Sequence, residues 1–183
     1  ITSDETEIAE PRLYIIAAGV DDYEDSRLRL AYAAGDATAV ADAVSRAAEG
    51  VYESATAIVL TNSEVTEAGL DAAFATVSET ARPQDFRYTG ETSFADSGIG
   101  QGAFRDWLAS VPARKSVMLY DTCESGTLTM DPATRGMEEL AAIERLSRAM
   151  GRTIMTASTD TEPALEGYKG HGIFTYTLLE AME

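Results

Sequence analysis

Short apolar runs alternate with longer helical stretches along this chain, and that alternation restricts its fold more than any other feature. Leu13 to Val20 is an apolar run ending on Gly19 and followed by two aspartates. Such a run is the mark of a strand buried on both faces of a parallel sheet. Asp36 to Ala48 is alanine-rich, with Val40 and Val44 at helical spacing, and predicts a helix. Ala57 to Leu60 predicts a second strand, closed by Thr61-Asn62. Thr66 to Thr80 predicts a second helix, with Leu70, Phe74 and Val77 on one face and Thr66 as its cap. Further helices are predicted over Gln101 to Ser110, Met137 to Met150 and Ile173 to Met182, and strands over Ser116 to Tyr120 and Thr153 to Thr156. Strands alternating with helices imply an α/β fold with a mostly parallel central sheet flanked by helices.

One place breaks the pattern. The helix ending at Thr80 leads to the helix starting at Gln101 through a polar, turn-rich stretch whose large apolar groups are scattered. No strand is predicted there, although a parallel sheet normally places one between two such helices.

At 183 residues the chain suffices for one domain with a sizeable core. Residues 1–10 hold four acidic residues and no lysine or arginine. They read as a flexible acidic lead-in rather than a signal peptide. Residues 11–183 read as the folded domain, and both ends look cut from a longer parent chain with other domains. No run approaches the roughly 18 apolar residues of a membrane span. The net charge of −17 argues against nucleic acid and anionic membranes as partners. It is compatible with a basic partner drawn in by long-range attraction. A single cysteine cannot form an internal disulfide, which points to a reducing, cytoplasmic compartment.

That cysteine has a distinctive setting. Asp121-Thr122-Cys123-Glu124-Ser125-Gly126 follows directly on the strand predicted to end at Tyr120. Open α/β sheets bind ligands at the carboxyl ends of their strands. Ser125 and Gly126 suit a sharp turn whose backbone amides can hold an oxyanion. On the residues alone, Cys123 is either a nucleophile or a buried structural thiol. A nucleotide-binding reading lacks a glycine-rich phosphate loop, and a cysteine phosphatase would want an arginine within Glu124 to Leu128, where there is none.

The hexapeptide resembles the Asp-x-Cys-x-Ser-Gly nucleophile motif of metacaspases and bacterial caspase-like proteases. Leu13 to Tyr23 resembles that family's first strand and following loop, Leu30 to Ala37 the start of its first helix, and Gly170 to Leu179 a late segment of its bacterial members. The resemblance implies a three-layer caspase-hemoglobinase-like fold. It implies a cysteine endopeptidase in which a Cys–His dyad forms an acyl-enzyme, with Cys123 as nucleophile. It also implies cleavage after Arg or Lys, with Asp36 and Asp121 as the acids of the S1 pocket; read singly, Asp36 suits a helix cap and Asp121 a strand-end turn. The substrate would be a protein or peptide with a basic P1 residue. Arg135, in the loop after the nucleophile, is a candidate self-processing site. No cofactor or metal is implied beyond the calcium many metacaspases need. Asp21, Asp22, Glu24 and Asp25 lack EF-hand spacing and read as a solvated loop.

The sequence departs from the family at one point. The family's catalytic histidine lies in a His-Gly pair after the third strand, upstream of the cysteine. This chain has a single histidine, His171, which is 171 − 123 = 48 residues downstream of Cys123. It falls in the late Gly-His-Gly segment and reads as part of a turn at a helix start. The missing histidine coincides with the strand gap near 85–86. A segment present in the parent but missing from this sequence explains both better than a genuine deletion, because losing a central strand leaves its neighbours' backbone groups unpaired. A catalytically inactive caspase-like interaction or regulatory module is the alternative.

Overall fold

The structure is a computed structural model and describes residues 9–23, 26, 29–92, 101–113, 115–120, 153–156 and 167–182. Its elements are β1 (Leu13–Gly19), α1 (Ala33–Ala47), β2 (Ala55–Thr61), α2 (Glu67–Thr80), β3 (Phe86–Thr92), α3 (Gln101–Ser110), β4 (Lys115–Tyr120), β5 (Thr153–Thr156) and α4 (Ile173–Met182). The five described strands form one sheet in the order β2-β1-β3-β4-β5, with every neighbouring pair parallel. Helices cover both faces, giving a three-layer α/β fold.

β1 shows why the sequence dictates this arrangement. All seven of its residues are buried, as a strand between two helical layers must be. Its side chains divide by alternation. Leu13, Ile15 and Ala17 join Ala37, Val40 and Ala41 of α1 and Leu119 of β4, with Phe174, Leu178 and Leu179 of α4 packed on them. Tyr14, Ile16 and Ala18 face the opposite way, into a cluster with Leu70, Phe74 and Val77 of α2 and Trp107 and Leu108 of α3. The rings of Phe74 and Trp107 stack at 5.7 Å, and the Trp107 indole N–H donates to the Asp71 carboxylate.

The helix starts follow local chemistry. Thr66 caps α2, its hydroxyl accepting from the Gly69 N–H at 3.0 Å. α2 ends at Thr80, three residues before Pro83, which cannot continue a helix. α1 begins at Ala33, three residues ahead of the expected Asp36, because its entry is set from outside the helix by Asp21, described below. The helix expected over Met137 to Met150 lies outside the described residues.

The strand gap expected between the second and third helices is corrected. Phe86–Thr92 forms β3 and occupies the centre of the sheet, pairing with β1 on one side and β4 on the other. The sequence conceals this strand because its buried residues on the α2/α3 side are polar, although Phe86 packs on the opposite cluster. Arg87 and Thr89 are buried on the α2/α3 side with Ser116 of β4 beside them. The Arg87 guanidinium lies over the Phe74 ring at 5.8 Å and reaches toward the Leu108 carbonyl. The hydroxyls of Thr89 and Ser116 have no hydrogen-bond partner among the described residues. Such a strand has no apolar run to betray it.

What seats β3 is Asp85, just before it and fully buried. Its carboxylate accepts from the Arg12 N–H at 2.9 Å and the Arg82 N–H at 2.7 Å. It also pairs with the Arg12 guanidinium at 3.0 Å and the Arg82 guanidinium at 3.1 Å. The Phe86 N–H then donates to the Arg12 carbonyl at 2.8 Å, and the parallel register of β3 on β1 follows. Arg82 also reaches Glu53, at the entry to β2, at 2.8 Å. One carboxylate thus ties the starts of β1 and β3 to the end of α2.

Burial alone would raise the Asp85 pKa. The N–H groups of Arg12 and Arg82, with their guanidinium groups, outweigh burial and lower it from 3.8 to about 2. The folded value lies below the unfolded one. The stabilisation is therefore complete above the unfolded pKa of 3.8 and is lost as pH falls through about 2. It amounts to about 2 kcal/mol. Urea midpoints measured from pH 5 down to pH 2 are expected to fall more steeply for the wild type than for Asp85→Asn, which should already be destabilised at pH 5.

Candidate functional site at the carboxyl edge of the sheet

β1 ends on Gly19, where a Cβ would lie 2.1 Å from the Ala33 carbonyl oxygen. Only glycine lets α1 start directly against the carboxyl end of β1. The acids after β1 are then within reach of the helix. Asp21 Oδ1 accepts from the Ala34 N–H at 3.2 Å, satisfying one of the unpaired donors in the first turn of α1. The backbone N–H groups of Asp21 and Asp22 donate to Asn62 Oδ1 at 2.8 and 3.3 Å. Asn62, just past β2, has φ 48, a left-handed conformation that asparagine tolerates. The expectation of a solvated acidic loop is therefore corrected for Asp21, which is a structural cap; Glu24 and Asp25 lie outside the described residues. No group of three or more potential metal ligands occurs among the described residues.

Asp36, in the first turn of α1, is 3% exposed. Its Oδ2 accepts from the Gly172 N–H at 2.8 Å, and its Oδ1 lies 2.5 Å from His171 Nδ1. Gly172 immediately precedes α4, so a side chain from α1 caps α4 across 136 residues of sequence. A negative charge there also complements the positive end of the helix dipole. His171 sits in the expected turn: it forms a bridge with Tyr168, and the reversal between them uses Lys169 and Gly170 at φ 51 and 87. Lys169 donates to the Tyr176 hydroxyl at 2.7 Å, and that hydroxyl donates to Glu180 at 2.9 Å.

A hydrogen-bonded chain therefore runs along the carboxyl edge of the sheet. It leads from Asn62 after β2, through Asp21 after β1 and the first turn of α1, to Asp36 and the start of α4. His171 is the imidazole on this chain. A carboxylate only accepts, so the Nδ1–H donates to Asp36. The His171 side chain keeps 29% of its surface exposed, and Nε2 has no partner among the described residues.

Of the sequence-predicted site residues, the structure places Asp36 and shows both of its oxygens engaged. Cys123, Asp121, Ser125, Gly126 and Arg135 lie outside the described residues. The Asp36–His171 pair was not foreseen: the two residues are 135 positions apart, and only the recurrence of Gly-Asp and Gly-His at two helix starts hints at it. β3, where the family's catalytic histidine would follow, ends in Glu91-Thr92, and no histidine follows before Cys123.

No protein-family model matches the chain, nor does any curated protein significantly. Among solved structures it is similar to protein GSU0716 from Geobacter sulfurreducens, with a TM-score of 0.65 and 14% sequence identity. The match covers 93% of this chain and 81% of that one. At this identity the likeness concerns the fold, and it agrees with a parallel sheet between two helical layers. Among the described residues, no helix is long and apolar enough to cross a membrane.

The Asp36 cap carries a stability consequence. Asp36→Ala leaves the buried Gly172 N–H without its acceptor, which should cost about 1–3 kcal/mol. Asp36→Asn keeps one amide oxygen and should cost less. Urea unfolding of both variants checks the order, which reverses if the carboxylate is not capping α4.

Proposed function

We propose that this chain is a caspase-like cysteine endopeptidase domain, with Cys123 as nucleophile and a protein or peptide substrate cut after Arg or Lys. The observation that carries the reading is where β4 ends. Tyr120 closes a central parallel strand, and the Asp-Thr-Cys-Glu-Ser-Gly motif begins at the next residue. That is the carboxyl edge, where α/β folds collect ligands. It is also the edge on which Asp36 and His171 lie.

A basic P1 side chain fits a chain of net charge −17, since guanidinium pairs well with carboxylate. Of the two acids that the resemblance assigns to S1, Asp36 is committed to His171 and Gly172. Asp121 is left as the carboxylate that receives the substrate cation. Self-processing at Arg135, use in regulated proteolysis, and a cytoplasmic setting belong to the same proposal. So does the covalent route: the thiolate attacks the scissile carbonyl, the amine leaves, and water releases the acyl group.

A non-catalytic regulatory module is the second reading, and one observation favours it. β3 is present and no histidine follows it before Cys123, so the family's usual base is absent from this chain. Incubation with an arginyl chloromethyl ketone separates the two. A peptidase takes up one equivalent, and Cys123→Ala takes up none. A wild-type chain that stays unlabelled while remaining folded is a scaffold.

A further inference from the structure

β2 ends the described sheet, with β1 as its neighbour on one side. A strand in that position leaves a row of backbone groups unpaired, and proteins usually blunt such an edge with charges, proline or a bulge. β2 has none of these. Its sequence, Ala-Thr-Ala-Ile-Val-Leu-Thr, contains no charged residue, proline or glycine. Its residues pair one to one with β1, without a bulge. We propose that the outer edge of β2 pairs antiparallel with the same edge of a second copy of this chain, about a two-fold axis at Ala57.

The register decides which groups face outward. The Leu13 N–H donates to the Ser54 carbonyl. Bonding in a parallel ladder alternates along the strand, so the backbone groups of Thr56, Ile58 and Leu60 face β1. Those of Ala55, Ala57 and Val59 point away from it. They have no hydrogen-bond partner among the described residues. The Thr61 N–H, next in the outward series, donates to the Glu64 carboxylate at 3.0 Å and ends the row. The edge is also accessible. Ala55, Thr56 and Ala57 are exposed, so neither helical layer covers this half of the strand.

Charge selects the occupant. Two copies of a chain with net charge −17 repel each other, so a self-contact must keep carboxylates apart. The neutral β2 edge does this. With the axis at Ala57, that residue faces itself, Ala55 faces Val59, and Thr56 faces Ile58. Every outward N–H of the row then meets an outward carbonyl of the other copy. At the ends of the row, Glu53 faces Thr61 and is held by Arg82 at 2.8 Å, and Glu64 is engaged with Thr61. No carboxylate is set opposite a carboxylate. The pairing also closes, because each copy spends its own β2 edge on the other. It is independent of how Cys123 is read.

The test is sedimentation velocity over a range of concentrations. The wild type should shift from the mass of one chain to that of two as concentration rises. Ala57 is exposed, so Ala57→Lys and Ala57→Glu should fold, as circular dichroism checks. Each sets two like charges directly opposite each other at the axis. Each alone should lose the dimer at concentrations where the wild type forms it, and an equal mixture of the two should regain it. In the wild type, exchange of the Ala55, Ala57 and Val59 amides, read by NMR, should slow with concentration; in Ala57→Lys it should not. A wild type that stays monomeric overturns the proposal and leaves the edge to an extended segment of another protein. A dimer that persists in both variants also overturns it, since the copies then meet elsewhere. Wild-type assemblies larger than two overturn the closed pairing.

Discussion

The fold depends on one buried carboxylate. Asp85 sits at the amino edge of the sheet and gathers two arginines and two backbone N–H groups from the start of β1 and the end of α2. A buried ion of this kind is tolerable only when its hydrogen bonds are satisfied, and here they are. Its consequence is topological. It places β3 between β1 and β4, although β3 brings Arg87 and Thr89 into the core where a central parallel strand usually brings valine or isoleucine. Local anchoring at the strand's entry offsets side chains that pack less well along it.

At the opposite edge the same logic recurs with different groups. Polar side chains close the starts of the helices across long sequence distances: Asn62 holds the loop after β1, Asp21 holds α1, and Asp36 holds α4. Each satisfies N–H donors that a helix start or tight loop cannot pair internally. The result is a stiff rim of hydrogen bonds, and the chain's single imidazole is part of it.

Much of the fold was legible from composition along the chain. β1 and β4 announced themselves as apolar runs, α1 and α2 as periodic segments, and Thr66 as a cap, because burial and capping act on neighbouring residues. β3 was illegible for a physical reason. Its positions on the α2/α3 side hold Arg87 and Thr89, so the continuous apolar run of a strand buried on both faces is absent, and its stability comes from Asp85, whose partners lie 73 residues away in the case of Arg12. The same limit hid the Asp36–His171 pair. Asp36 was recognisable as a carboxylate at a helix start, and His171 as a turn residue before another. That the two turns meet depends on α1 and α4 lying side by side on one face of the sheet, which no local pattern encodes. The cysteine motif lies outside the described residues.

The central claim is that Asp85 seats β3 at the centre of the sheet. Amide hydrogen exchange of Asp85→Asn, followed peptide by peptide, measures this most directly. The account predicts that exchange accelerates first in Phe86–Thr92 and at the start of β1, ahead of β2. Uniform acceleration across all the strands, or unchanged exchange in β3, would contradict it.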